Sequence, residues 1–407
     1  MVKGKPESLN NGADIIDKKL AVSIIFSTIC RILLNTARRF PYPFAPAISR
    51  GLGVHIAAVT SMIAGNQAAG IFGIFLGPVA DRIGYRTMML SGLLMLAAGM
   101  LAVGFFPNYW IVMSALVLSG LAKSTFDPAF LAYVGERISF SKRGFVIGLT
   151  EFSWAGSTLA GIPLAAFLID RFGWKAPFFA LGILGLAGMI TIRLTIPPDV
   201  KKTRAFASAD YFGAIRNLGK NRSALGMLGF IFFISAANDN LFVVYGVWLE
   251  KEFNLSILAL GLGTIAIGLA EFLGESLTAL FSDRLGLKRS VVAGLVISII
   301  CYGVLPFFGK SFPFALGGLF VVFLVFEFTI VSSISLCTEF LPGARATMLS
   351  AYLAASGLGR VLGALTGGPV WLLGGLPAIG IVSSLISILA LISILWSFKQ
   401  LKGANIE

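Results

Sequence analysis

Long apolar stretches, each near the length needed to cross a bilayer, alternate with short polar segments along the whole chain. About 20 mainly apolar residues make one spanning helix, because lipid offers the backbone no hydrogen-bond partners. Read this way, the sequence predicts twelve such helices. Six lie at 20–48, 55–77, 87–106, 109–134, 144–169 and 177–196, and six at 223–249, 256–281, 290–308, 313–338, 347–370 and 377–397. Pro41, Pro43 and Pro46 are expected to kink the far end of the first. The polar first 18 residues run into a long apolar segment with no small-residue cleavage pattern, so no cleavable signal peptide is expected.

The expected division is a tail at 1–19, a six-helix bundle at 20–197, a central loop at 198–222, a second bundle at 223–397 and a tail at 398–407. In the central loop, Tyr211, Phe212, Ile215 and Leu218 recur at helical spacing beside Arg216 and Lys220. That segment reads as a short interfacial helix or as a disordered basic linker. The halves repeat: Asp81-Arg82-x-Gly84 returns as Asp283-Arg284-x-Gly286, and at the same offset Arg143 meets Arg345 and Gly161 meets Gly363. An even number of helices per copy gives parallel topology, hence two similar bundles around a central pathway.

Composition agrees. The 407 residues are 57% hydrophobic and 13% charged, about half the charge of a soluble chain, with mean hydropathy +0.89. A net charge of +13 in a soluble protein would point to nucleic acid; here the bases set topology instead. Of 32 Lys and Arg, 21 fall on the side of the N-terminus, five on the opposite side and six inside spans, which puts both termini in the cytoplasm. One His and three Cys without CxxC spacing leave no metal centre, disulfide framework or cofactor site to expect. His55, at the mouth of the second helix, is expected to sit at the interface.

Twelve charges lie within the spans. The acids are Asp127, Glu151, Asp239, Glu271, Glu275 and Glu327; the bases are Arg31, Arg38, Arg39, Lys123, Arg193 and Arg360. Facing lipid unpaired, they would cost roughly 30–40 kcal/mol at about 3 kcal/mol each, more than a folded protein can carry. They are therefore expected to face one another or water. Helices 1, 4, 7 and 10 carry polar faces and helices 3, 9 and 12 carry no charge, with only Arg193 near the end of helix 6. That pattern describes a polar cavity lined by Arg31, Asn35, Arg38, Arg39, Lys123, Asp127, Asp239 and Glu327. Glu271 and Glu275, four apart, share a helical face. They read as a proton-holding pair, or as partners of neighbouring helices or of Arg360. Lys123 and Asp127 read as an internal salt bridge or a substrate contact, and Arg38 and Arg39 as substrate contacts or as partners of Asp239.

The stretch Gly77-Pro78-Val79-Ala80-Asp81-Arg82-Ile83-Gly84-Tyr85-Arg86 resembles the signature between helices 2 and 3 of the major facilitator superfamily, and Asp283, Arg284 and Gly286 form its weaker second copy. The resemblance covers nearly the whole chain. It implies an all-α membrane fold of twelve helices in two pseudo-symmetric six-helix bundles that expose a midplane site to one side at a time. It also implies a cytoplasmic gate at Gly77, Asp81, Arg82, Gly84, Arg86, Asp283, Arg284 and Gly286, with Glu136/Arg143 and Glu339/Arg345 as partner sets. Two departures stand out: Leu116 occupies the place of the helix-4 Arg of proton-coupled members, and the helix-5 pattern Gly-x-x-x-Gly-Pro survives only as Gly156 and Gly161-Ile162-Pro163. Glu151, one turn before Trp154, is a substitute protonation site, so Glu151, Asp239, Glu271 and Glu275 are the proton-coupling candidates.

The expected function is a secondary active transporter, a proton-coupled exporter of a small amphipathic or organic solute. Alternatives are an uptake symporter, a lipid transporter, or a non-transporting receptor on the same fold. The expected setting is the inner cell membrane, as a monomer, with protons and a small molecule as partners and neither nucleic acid nor metal.

Overall fold

In a computed structural model, residues 18–72, 83–138, 146, 149–150, 152–199, 219, 221–309, 311–337, 339–340 and 345–401 are described, with backbone alone at 279, 283, 345–347 and 400–401. The helices are α1 (Lys18–Arg39), α2 (Ala45–Leu52), α3 (Ile56–Ala69), α4 (Tyr85–Phe105), α5 (Tyr109–Arg137), α6 (Phe152–Phe172), α7 (Ala176–Thr195), α8 (Arg222–Phe242), α9 (Tyr245–Phe253), α10 (Ile257–Leu285), α11 (Leu287–Val304) and α12 (Phe312–Cys337). The last helical stretch, Arg345–Leu401, breaks at Gly374 and Gly375 and so supplies α13 (345–373) and α14 (376–401).

Among the described residues, ten helices are long and apolar enough to cross a membrane by themselves. One of the ten is the 52-residue Met348–Lys399, which its glycine break turns into two spans. With α3 counted, the total is the twelve expected. The first span is α1 plus α2: Pro41 and Pro43 end α1 at Arg39, and Pro46 occupies the first turn of α2. Side-chain caps open three others, with Asn108, Asn221 and Ser256 accepting from the backbone N–H three residues on.

Spans α1/α2, α3 and α4 to α7 pack together, as do α8/α9 and α10 to α14. Across the boundary, α3 meets α13, α6 meets α10 and α2 meets α9. The first two contacts are the same contact under exchange of the halves, so the duplication is visible in the packing. It is also visible in the backbone. Gly84 before α4 and Gly286 before α11, the paired glycines of the repeat, both hold positive φ, +106° and +82°. A side chain at either would be strained.

The faces turned away from the bundles are apolar. On α14, Ile381, Leu385, Ile392 and Leu395 form one exposed stripe, and on α7 Ile183, Leu186, Ile190 and Leu194 do the same. These suit lipid, where exposed leucine carries no penalty. Among the described charged residues of the spans, Arg193 alone is exposed, near the end of α7, and the others are buried or half-buried.

Candidate functional site

Five bases and three acids meet in the middle of the molecule, on both sides of the boundary between the bundles. From the first bundle, Arg31 on α1 lies 3.1 Å from Asp127 on α5 through Nε and donates from Nη1 to the carbonyl and hydroxyl oxygens of Thr150. Lys123, one turn earlier on α5, reaches the other oxygen of Asp127 at 2.5 Å. The expected Lys123–Asp127 bridge is therefore present, with Arg31 as a third member. Pro128 follows Asp127 inside α5 and removes one N–H from the helical ladder there. One turn along α1, Asn35 donates to Ser153 at 3.3 Å.

Arg39 crosses the boundary. Its Nη2 sits 2.5 Å from Glu271 on α10, and both side chains are almost wholly buried, at 3% and 6% exposure. Its guanidinium also lies over the Trp154 ring, 4.4 Å from the centroid, a favourable stacking for a desolvated cation. The second oxygen of Glu271 accepts from Thr158, 3.3 Å away. Thr158 stands on a π turn, Ser157–Gly161. That turn lies on the remnant Gly156…Gly161-Ile162-Pro163. Gly161 is set directly against Thr36 of α1, and Pro163 has no N–H to continue the regular ladder. The departure from the family pattern thus coincides with the element that brings Thr158 to the carboxylate.

A second connection across the boundary is indirect. Arg38 donates to Gln67 of α3, Gln67 donates to Tyr42 between α1 and α2, and Tyr42 donates to Asp239 of α8 at 3.0 Å. Arg360 on α13 lies 3.5 Å from the other oxygen of Asp239, close enough for an ion pair but without hydrogen-bond geometry. Several buried polar atoms remain without a hydrogen bond: Asn35 Oδ1, Arg38 Nε, Arg39 Nε and Nη1, and the Tyr245 hydroxyl. Unsatisfied buried donors and acceptors are costly, so their concentration here marks a place for water or a polar ligand.

The pairings differ from those anticipated. Glu271 meets Arg39 where Arg360 had been a candidate, and Asp239 meets Arg360 and Tyr42 where Arg38 or Arg39 had been. Arg31 and Asn35 turn to Thr150 and Ser153, and Arg38 turns to Gln67 of α3. Glu275 is half-buried, one turn beyond Glu271, and Glu327 packs across from it, where a methyl on Gly274 would lie 2.9 Å from Glu327 Cβ. Gln67 and Tyr42 carry no charge that would mark them in the sequence, and the Asn66-Gln67 pair inside an apolar span is a polar signal near them.

Glu151 lies outside the described residues, as do Gly77, Asp81, Arg82, Arg143 and the interfacial segment at 211–218; the side chains of Asp283 and Arg345 do too. At the described part of the gate motif, the N-terminus of α4 is held by Asp199, from just beyond α7. Its oxygens accept from the backbone N–H of Arg86 at 3.0 Å and of Thr87 at 2.9 Å, and from the Thr87 hydroxyl at 2.8 Å. A carboxylate is stabilised at a helix N-terminus, and Asp199 supplies one to α4. His55 is exposed at the start of α3. Among the described residues, no three His, Cys, Asp or Glu side chains cluster to hold a metal.

The Major Facilitator Superfamily model matches the chain twice, over residues 27–236 and 227–404. The chain belongs to the major facilitator superfamily. As a superfamily member it resembles an MFS-type transporter, YceJ of Bacillus subtilis, at 24% identity over 72% of this chain and 74% of that protein. It is 26% identical to a multidrug resistance efflux pump PmrA homologue of Lactococcus lactis, over 88% and 89% of the two chains. Multidrug resistance protein MdtG of Enterobacter lignolyticus matches at 26% over 70% of each. Among solved folds, a bacterial homologue of the human lysosomal transporter Spinster superposes with TM-score 0.74 at 15% identity, over 95% of this chain and 98% of that one. The superfamily fold of two six-helix bundles, and membership of a multi-pass membrane transporter family, follow.

Proposed function

We propose that the protein is a proton-coupled exporter of a small amphipathic organic solute, working by alternating access with both termini in the cytoplasm. The observation that supports it is the buried Arg39–Glu271 pair, 2.5 Å long, which ties one bundle to the other. A proton taken up by Glu271 removes the charge that holds Arg39. The guanidinium then keeps its contact with Trp154 but loses its counter-ion, and the two bundles are free to part at that level. A solute bearing positive charge competes with both Arg39 and the proton for Glu271, which is the requirement for exchange. Trp154, Phe242 and Phe130, each with a cation over its ring, offer its apolar part a wall. The Arg38–Gln67–Tyr42–Asp239–Arg360 chain would carry the same event to α8 and α13. The similarity to multidrug efflux relatives supports export.

The same pair gives co-transport a specific form: an anionic solute would share Arg39 with the carboxylate, so protonation would favour its binding and both would move together. Flux in proteoliposomes under imposed pH gradients separates the readings. Export predicts uphill movement of cationic amphiphiles against an inward proton gradient, and co-transport predicts movement of anions with it. Glu271→Gln combined with Glu275→Gln is expected to leave the protein in the membrane while abolishing gradient-driven flux. Retained coupling would remove these carboxylates from the mechanism.

A further inference from the structure

A cavity of about 440 Å³ opens between the start of α4 and the end of α7. Ile83, Arg86, Thr87, Leu90, Arg193, Pro198 and Asp199 line it. Arg86 is anchored there: its Nη2 donates to the Arg193 carbonyl at 2.6 Å, while its buried Nε has no hydrogen-bond partner. Arg193 is exposed on a helix whose outward neighbours are apolar, Ile190 at 63% and Leu194 at 80%. An arginine on such a face, close to the end of its helix, carries its guanidinium to the headgroup level. Among the described residues Asp199 is the one acid lining the cavity, and both its oxygens accept hydrogen bonds from the N-terminus of α4 and the Thr87 hydroxyl. Two arginines thus line the cavity against that one carboxylate, which leaves it a net positive charge among the described residues.

We infer that this cavity binds the headgroup of an anionic phospholipid, with the phosphodiester between Arg86 and Arg193 and an acyl chain along Ile190 and Leu194. Guanidinium recognises phosphate through paired N–H donors, and the apolar stripe below it selects a phosphate attached to a lipid over a free one. The duplicated half supplies an internal control. At the repeat offset of 202, Lys288 corresponds to Arg86, but Leu395 corresponds to Arg193; Lys288 itself lies over the ring of Phe398. The second copy has an ammonium in place of the first guanidinium and a leucine in place of the second, and is not expected to bind.

The test is thermal unfolding of the full chain, purified in uncharged detergent, titrated with phosphatidylglycerol, phosphatidylcholine or inorganic phosphate. Phosphatidylglycerol is expected to raise the unfolding temperature saturably, and the other two are not. One basic side chain at a membrane surface contributes about 1 kcal/mol toward anionic lipid, so Arg193→Gln is expected to move the titration midpoint about fivefold. Arg193→Lys should keep most of the effect and Lys288→Gln all of it. Equal stabilisation by phosphatidylcholine, full stabilisation by phosphate alone, an unchanged midpoint in Arg193→Gln, or an equal shift in Lys288→Gln would each overturn the proposal.

Discussion

The two walls of the proposed pathway come from duplicated halves, yet they carry opposite charge. The first bundle contributes Arg31, Arg38, Arg39 and Lys123 against Asp127 among its described residues; the second contributes Asp239, Glu271, Glu275 and Glu327 against Arg360. Duplication alone would have made them alike, and two like-charged walls would repel across a low-dielectric boundary. Divergence has made them complementary. The residues that hold the bundles together in this arrangement, Arg39 with Glu271 and Tyr42 with Asp239, are also the ones that the proposed mechanism has a proton or a charged solute release. A transporter needs an interface that is strong and conditional. Charge of opposite sign on two rigid bodies meets both demands, because protonation or ligand exchange cancels it, whereas apolar packing would respond to neither.

That complementarity can be broken outright. Arg39→Leu leaves Glu271 buried without its counter-ion and is expected to lower stability by about 3–5 kcal/mol, read as the unfolding free energy in detergent. Exchanging the charges, Arg39→Glu with Glu271→Arg, should recover more than half of that loss if the pair acts by charge across the boundary. Recovery close to zero would show that the Trp154 and Thr158 contacts matter more. Tyr42→Phe removes one donor to Asp239 and one acceptor for Gln67; the expected cost is about 1–3 kcal/mol, with transport slowed more than solute affinity, measured by flux and binding on the same preparation. The smallest effect belongs to Arg50–Glu250, a 2.7 Å pair between α2 and α9 in which Arg50 is 59% exposed. Arg50→Gln should cost less than about 1 kcal/mol, and high salt should erase even that.

Which features could be read from the chain follows from the range of the forces involved. The span lengths and the breaks at Pro41 and Pro43 are local, and each follows from backbone sterics or from the intolerance of lipid for unpaired amides. The Lys123–Asp127 bridge was also local, being one helical turn. Arg39 with Glu271 was not. Those residues are separated by 232 positions, and no periodicity on either helix says which carboxylate of the other half an arginine meets. Both Glu271 and Asp239 were in range on composition alone; the register between α1 and α10, together with the π turn that delivers Thr158, decided it. Neutral relays such as Gln67 and Tyr42 are harder still, since they carry no charge for the cost of burial to flag.

From its amino acids alone, this chain is determined as a helical membrane protein of two repeated bundles, with its charges gathered on the helices that face inward. Each of those properties is a sum of local free energies: burial per residue, backbone satisfaction, the penalty for charge in lipid. Only the tertiary structure decided which charges meet, that Asp199 closes the first turn of α4, and that Arg86 and Arg193 line one cavity. These depend on distances between helices far apart in sequence, and such distances are set by packing, on which no single segment has information.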